Sequence, residues 1–406
     1  MIKKLFYMVS LVFVIVLCFS FTAFAYEHED FYKGSEGTTL NVFNWGEYIS
    51  EFYEDGLINV NKEFEKLTGI KVNYVTFESN EDMYAKIKNG GSSYDIIVPS
   101  DYMIGRMIEE KMLRTFDAKS LPNYHYISDD YKGMYYDPDE CYSVPYNVGM
   151  VGLIYNSRIV KEKPTSWKIL WDERYAGQIL MIDNSRDAFM VPEKILGYSL
   201  NTTDEKELGD VAQMLIDQKP LLQSYVMDEV YNKLESGEAA MCPYYVGDYI
   251  SMKENNPDLA FCYPEEGTNI FVDAMCIPAD CRNYEGALKY INFMMDPVVA
   301  LSNAWVIGYA SPNTSVLEDP DYAEELGSDE YLYPSDENMP DVEYYYNLPQ
   351  ETLMMFAELW NEIKVSGSSN THIYIGFGVV AAIIAGGAIY GFVIKRKREY
   401  WYDHSE

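Results

Sequence analysis

The chain has 406 residues and a formal charge of −33, from 64 acidic and 31 basic side chains. A balance this acidic argues against nucleic acid and anionic surfaces as partners and favours cations. The length suffices for two domains with their own cores.

The elements are predicted in chain order. Residues 1–25 carry Lys3 and Lys4, an apolar run from Leu5 to Phe21, and Ala23-Phe24-Ala25. That is the pattern of a secretory signal peptide. After a loose leader, Leu40, Val42 and Phe43 predict a strand that breaks at Asn44 and presents Trp45, Glu47 and Tyr48. Two aromatic faces and a carboxylate suit an organic cation; buried core aromatics at a strand end are the plainer reading. Leu57, Ile58, Phe64 and Leu67 predict a helix stopped by Gly69. Ile70, Val72 and Tyr74 alternate as a second strand. Ser79 to Asp82 reads as a helix start and Gly90-Gly91 as its end. Ile96-Ile97-Val98 is a short buried strand ending at Pro99-Ser100. Strands alternating with helices predict a parallel sheet with its ligand at the carboxyl ends. That puts Trp45, Ser100 and Tyr102 on one rim.

A polar stretch over 115–142 separates this unit from a second α/β pattern. Val144-Pro145-Tyr146 precedes a strand Val151–Tyr155. A strand Ile179–Ile182 ends at Asp183-Asn184, with a helix starting near Asp187. A strand Ala239–Cys242 ends at Tyr244-Tyr245, and Gly247-Asp248 opens the next helix. Ile270 to Met275 is strand-like and holds Phe271 and Asp273. The pattern predicts two α/β lobes with facing rims. Their bounds are 38–145 with 275–315, and 146–274 with 316–365. A Ser/Gly/Asn linker over 366–372 leads to Ile373–Ile394, 22 uncharged residues followed by Lys395-Arg396-Lys397-Arg398. This predicts one membrane-spanning helix with residues 395–406 cytoplasmic and the body outside the cell.

No catalytic set is legible. His28, His125, His372 and His404 have no metal-ligand spacing, and neither a phosphate-binding loop nor a nucleophile elbow is present. The predicted protein is not an enzyme and needs no metal or cofactor. Five cysteines remain after leader removal, an odd number that leaves at least one thiol free. Asp273 is the most informative acid. A carboxylate within an apolar strand is costly unless paired, and its partner is either a structural Lys or Arg or a ligand cation. Asp187 and Asp248 also fit ordinary helix-dipole complementation.

Several motifs together resemble the spermidine/putrescine-binding proteins of ABC importers, within the periplasmic-type (type II) solute-binding superfamily. They are Phe43-Asn44-Trp45-Gly46-Glu47-Tyr48, Thr76 to Glu81, Tyr94 to Ser100, Ser166-Trp167 with Leu170-Trp171, Glu285 to Leu288, and Ile307-Gly308-Tyr309 before Ser311-Pro312-Asn313. The resemblance covers nearly all of 38–365. It implies a hinged two-lobed fold, a polyamine ligand, and permease and ATPase partners. It also implies a pocket lined by Trp45, Tyr48, Ser100 and Tyr102 from the first lobe, completed by Asn184, Asp187, Tyr245, Asp273 and Tyr309. Tyr245-Val246-Gly247-Asp248 matches the aromatic-x-Gly-Asp of putrescine binders and adds Asp248. Tyr245 and Phe271 stand where spermidine binders have Trp, so the choice of polyamine stays open. A polyamine-sensing ectodomain not coupled to import is the alternative.

Overall fold

The computed structural model describes residues 26, 28–53, 56–90 and 93–366. The predicted leader, membrane helix and tail lie outside the described residues. Among the described residues no helix is long and apolar enough to cross a membrane.

The first unit is β1 (Thr39–Trp45), α1 (Val60–Thr68), β2 (Lys71–Phe77), α2 (Asn80–Lys88), β3 (Ile96–Ile97) and α3 (Asp101–Glu109). Helix α1 is capped by the Asn59 side chain and ends at Gly69, whose φ of 68° suits the left-handed turn. Its predicted start is corrected, because Leu57 and Ile58 precede the cap. Ile58 N–H donates to Ser302 Oγ at 2.8 Å and its carbonyl accepts from Ser50 Oγ at 2.8 Å. Those bonds hold Ile58 outside the helical ladder.

The second unit follows the long strand β4 (Ser143–Asn156). It comprises β5 (Ile179–Ile182), α4 (Ser185–Leu196), α5 (Glu205–Gln218), β6 (Leu222–Val226), α6 (Glu229–Glu235), β7 (Met241–Tyr245), α7 (Val246–Asn255) and β8 (Leu259–Cys262). Strand β9 (Thr268–Cys276) returns to the first unit, which adds α8 (Tyr284–Met294) and α9 (Pro297–Ile307). The chain then reaches β10 (Val342–Tyr344), on the edge of β9, and α10 (Gln350–Val365).

The strand path is β2-β1-β3-β9-β4-β7-β5-β6. Pairings within each unit are parallel: β1 with β2 and β3, and β5 with β6 and β7. The middle is not. β9 runs antiparallel to β3 and β4, and β4 runs antiparallel to β7. The expected all-parallel sheet is therefore corrected at its centre, where two strands carry the chain between the halves.

β4 is one strand of 14 residues, buried at every position, rather than a short segment followed by a separate strand. Residues 143–150 pair with β9, and 151–156 pair with β7 and β8. Its glycines are steric necessities. A Cβ at Gly149 would stand 2.4 Å from the Phe271 ring, and one at Gly152 would stand 2.1 Å from Phe261. Tyr244 and Tyr245 close β7 itself, so that strand runs later than the expected Ala239–Cys242. All five described cysteines are free thiols.

Candidate functional site

A cleft enclosing about 790 Å³ of non-atom space, its open mouth included, lies where the two halves meet. That is the size of a small-molecule site. All eleven residues singled out above line it: Trp45, Tyr48, Ser100, Tyr102, Asn184, Asp187, Tyr245, Asp248, Phe271, Asp273 and Tyr309.

The local folding explains the placement. Asn44 Oδ1 accepts from Trp45 N–H at 2.8 Å where β1 ends, and the chain turns through Glu47 at φ 49°. The Trp45 indole N–H donates to Val98 O at 2.9 Å, which fixes the ring against the end of β3. Ser100, Asn184 and Tyr245 are the N-cap residues of α3, α4 and α7. Three helix N-termini thus face a cleft of acids. Asp101, Asp187 and Asp248 each sit in a first turn and offset the positive helix end.

Three carboxylates dominate the electrostatics. Asp273 Oδ1 accepts from Ser100 Oγ and Oδ2 from Tyr48 Oη, both at 2.6 Å. Asp187 accepts from Tyr245 Oη at 2.7 Å, and from Asn269 Nδ2 and Tyr345 Oη at 3.1 Å. Asp248 accepts from Tyr231 Oη at 2.8 Å and Tyr309 Oη at 2.5 Å. Every donor is a neutral hydroxyl or amide. Among the described residues none of the three acids is in an ion pair. Burial pushes each carboxyl up to about 6, against the downward pull of those hydrogen bonds. Among the described residues no Lys or Arg forms an ion pair with Asp273.

Aromatic rings fill the spaces between the acids. Tyr48 meets Tyr309 edge-on at 5.4 Å, and Tyr245 meets Phe271 at 5.6 Å. Tyr309 sits against α7 because residue 247 is glycine; a Cβ there would stand 1.9 Å from the ring. At the mouth a Cβ on Gly46 would come within 3.1 Å of Asp228 Oδ2 in the other half. Gly46 therefore leaves room for the Asp228 carboxylate beside the end of β1.

Sequence reasoning missed several lining residues. Tyr231 and Tyr345 donate to the acids, and Asn80 holds Ser100 through Nδ2 to Oγ at 3.0 Å. Arg186 is buried in the wall, its guanidinium 4.5 Å from the Tyr345 ring and donating to Leu200 O at 3.1 Å. Asn80 lies within the Thr76 to Glu81 motif, but Tyr231, Tyr345 and Arg186 have no periodic or motif signal. The nearest cue is the run Tyr344-Tyr345-Tyr346, which reads as an ordinary strand.

Such a site can take an elongated organic cation, with ammonium groups on carboxylates and methylenes on ring faces. The comparisons with known proteins agree in kind. A Salmonella typhimurium spermidine/putrescine-binding periplasmic protein is 34% identical over 334 residues, covering 81% of this chain and 92% of its own. A Pseudomonas aeruginosa putrescine-binding periplasmic protein is 28% identical, covering 82% and 93%. The solved PotD substrate-binding protein of a spermidine/putrescine ABC transporter from Streptococcus pneumoniae, in complex with calcium and HEPES, is 33% identical. It superposes with a TM-score of 0.67 over 81% of this chain and 99% of its own. The model of the bacterial extracellular solute-binding proteins, binders rather than enzymes, matches residues 59–327, and the chain belongs to that family.

Proposed function

We propose that this chain is the polyamine-capturing subunit of an ABC importer. The observation that carries the reading is the set Asp187, Asp248 and Asp273: three carboxylates in one cleft, all held by neutral donors and interleaved with rings. Arg186 in the wall pulls on Asp187, but among the described residues no ion pair matches the three charges, and the set calls for a cation from outside. In this reading the ammonium groups of putrescine or spermidine pair with the three acids. The methylenes lie on Trp45, Tyr102, Tyr245 and Phe271, while Tyr48, Ser100, Asn184 and Tyr309 orient the acids and the rings. The lobes, 38–145 with 275–315 and 146–274 with 316–365, close on the ligand by hinge motion. The closed form then docks on a permease driven by an ATPase.

The binding body is external, released from the leader over 1–25 and tethered by 373–394 with 395–406 inside. The uncharged 22-residue run and its basic stop support the tether, and the periplasmic placement in the relatives' names supports the external body alone. Titration calorimetry of the purified chain with putrescine, cadaverine, spermidine and spermine tests the ligand class; no heat from any of them overturns it. Protease added to intact, wall-stripped cells tests the topology. Loss of residues 26–372 is expected, and protection of the body refutes the anchor.

A further inference from the structure

Outside the cleft, a second group of side chains has the chemistry of a cation site. Lys364, in the last turn of α10, places its Nζ 2.5 Å from Asp183 Oδ1. The same ammonium lies 4.4 Å from the centre of the Tyr225 ring and 5.3 Å from that of Trp360. The two rings meet at 5.4 Å and 85°, forming two walls of a corner whose third side is the carboxylate. A carboxylate beside two ring faces is how proteins hold alkylammonium ions. The corner is reachable, since the Lys364 and Asp183 side chains are 32% and 36% exposed. The backbone beneath Lys364 is independently fixed, because Lys219 Nζ donates to the carbonyls of Ile363, at 2.8 Å, and Lys364.

We propose that Asp183, Tyr225 and Trp360 form a second organic-cation site, filled in cis by Lys364 and open to a free primary alkylammonium when that side chain is withdrawn. The site borders the cleft without belonging to it. Asp183 precedes Asn184, and Tyr225 lies two residues before Met227, both of which line the cleft. The inference does not depend on the cleft's ligand being a polyamine.

The test uses the full chain and propylammonium chloride, which carries the head of a lysine side chain. Thermal melts are compared in wild type, Lys364→Ala and Lys364→Ser, the serine variant keeping the helix end polar should alanine fold poorly. Propylammonium acts on the cleft equally in all three, so the wild-type shift is the baseline. The variants should show an additional, saturable rise in Tm of about 2 °C or more at tenfold saturation. Adding Asp183→Asn or Trp360→Leu to Lys364→Ala should abolish the addition. Equal shifts in wild type and variants overturn the proposal, as does an addition that survives both second substitutions.

Discussion

The cleft and the Lys364 corner both join carboxylates to aromatic rings, and they differ in what completes the charge. Asp183 is matched within the chain by an ammonium lying over Tyr225 and Trp360. Asp187, Asp248 and Asp273 have similar ring neighbours, but hydroxyls and an amide are their donors. A neutral donor satisfies a carboxylate oxygen without cancelling its charge. Burial then makes ionisation costly, which is why all three carboxyls are raised to about 6. Elsewhere the balance reverses. At Glu110 burial also acts upward, yet hydrogen bonds from Lys88, Tyr84 and Arg106 hold the carboxyl down to about 2. Acidity alone therefore marks nothing in this chain, and neutral partners alone do not either, since buried Asp95 and Asp137 also accept only from neutral donors; the informative feature is three such acids gathered with ring faces in one cleft.

The largest expected effect breaks the cleft's charge set. Asp273→Asn keeps the shape and removes one buried carboxylate. Polyamine binding should weaken by about 2–4 kcal/mol, the scale for losing one partner of a buried pair. The ligand-free protein at neutral pH should be as stable as wild type or more so, because an uncompensated charge has gone. Calorimetry and melts read the two together. Loss of apo stability with binding intact would assign Asp273 a structural partner and cancel the contrast with Asp183.

The next effect follows from titration. A folded-state value of about 6 lies above the unfolded value of about 3.9. The native state therefore holds the Asp273 proton more tightly. This group's contribution to stability is fully present below pH 4 and is lost as pH rises through 6. The gap is worth about 3 kcal/mol, and it should appear as a pH-dependent difference in apo stability between wild type and Asp273→Asn. Binding runs the other way, since ammonium groups need ionised acids. Affinity should rise steeply between pH 5 and 7, with protons released on binding near pH 6, and level off above 7. Flat affinity across that range would mean the three acids are already ionised before the ligand arrives.

Much of this arrangement was legible in the sequence, for definable reasons. Strand ends announce themselves by breaks such as Asn44-Trp45-Gly46 and Pro99-Ser100, and helix starts by caps such as Ser79 and Asn184. Those signals are local, and they gather the rim residues. Strand direction is not local. The antiparallel centre depends on β9 returning between β3 and β4, which no nearby residue encodes. The continuity of β4 was hidden by Pro145 and by Gly149 and Gly152, residues that weaken a strand pattern. They are tolerated at a register shift and under the rings of Phe271 and Phe261. Tyr345 reaches Asp187 across 158 positions and Tyr231 reaches Asp248 from a neighbouring helix. Both looked like ordinary tyrosines because only the folded chain gives them partners.

The smallest effect sharpens the comparison at a single hydrogen. Tyr309→Phe keeps the ring that Gly247 admits against α7 and removes the hydroxyl donated to Asp248. Asp248 then retains Tyr231 alone among these two donors. A hydrogen bond to an ionised carboxylate is worth about 1.5 kcal/mol at the low end, so affinity should fall about tenfold. With less support for its ionised form, Asp248 should also titrate higher, and the loss should deepen as pH drops from 7 to 6. A structural role for Tyr309 predicts a different signature, with the apo Tm falling and the affinity ratio constant across pH. Measuring the wild-type-to-variant affinity ratio at both pH values separates the two. A ratio that does not change with pH would show that Tyr309 serves the cleft through its ring and not through the acid.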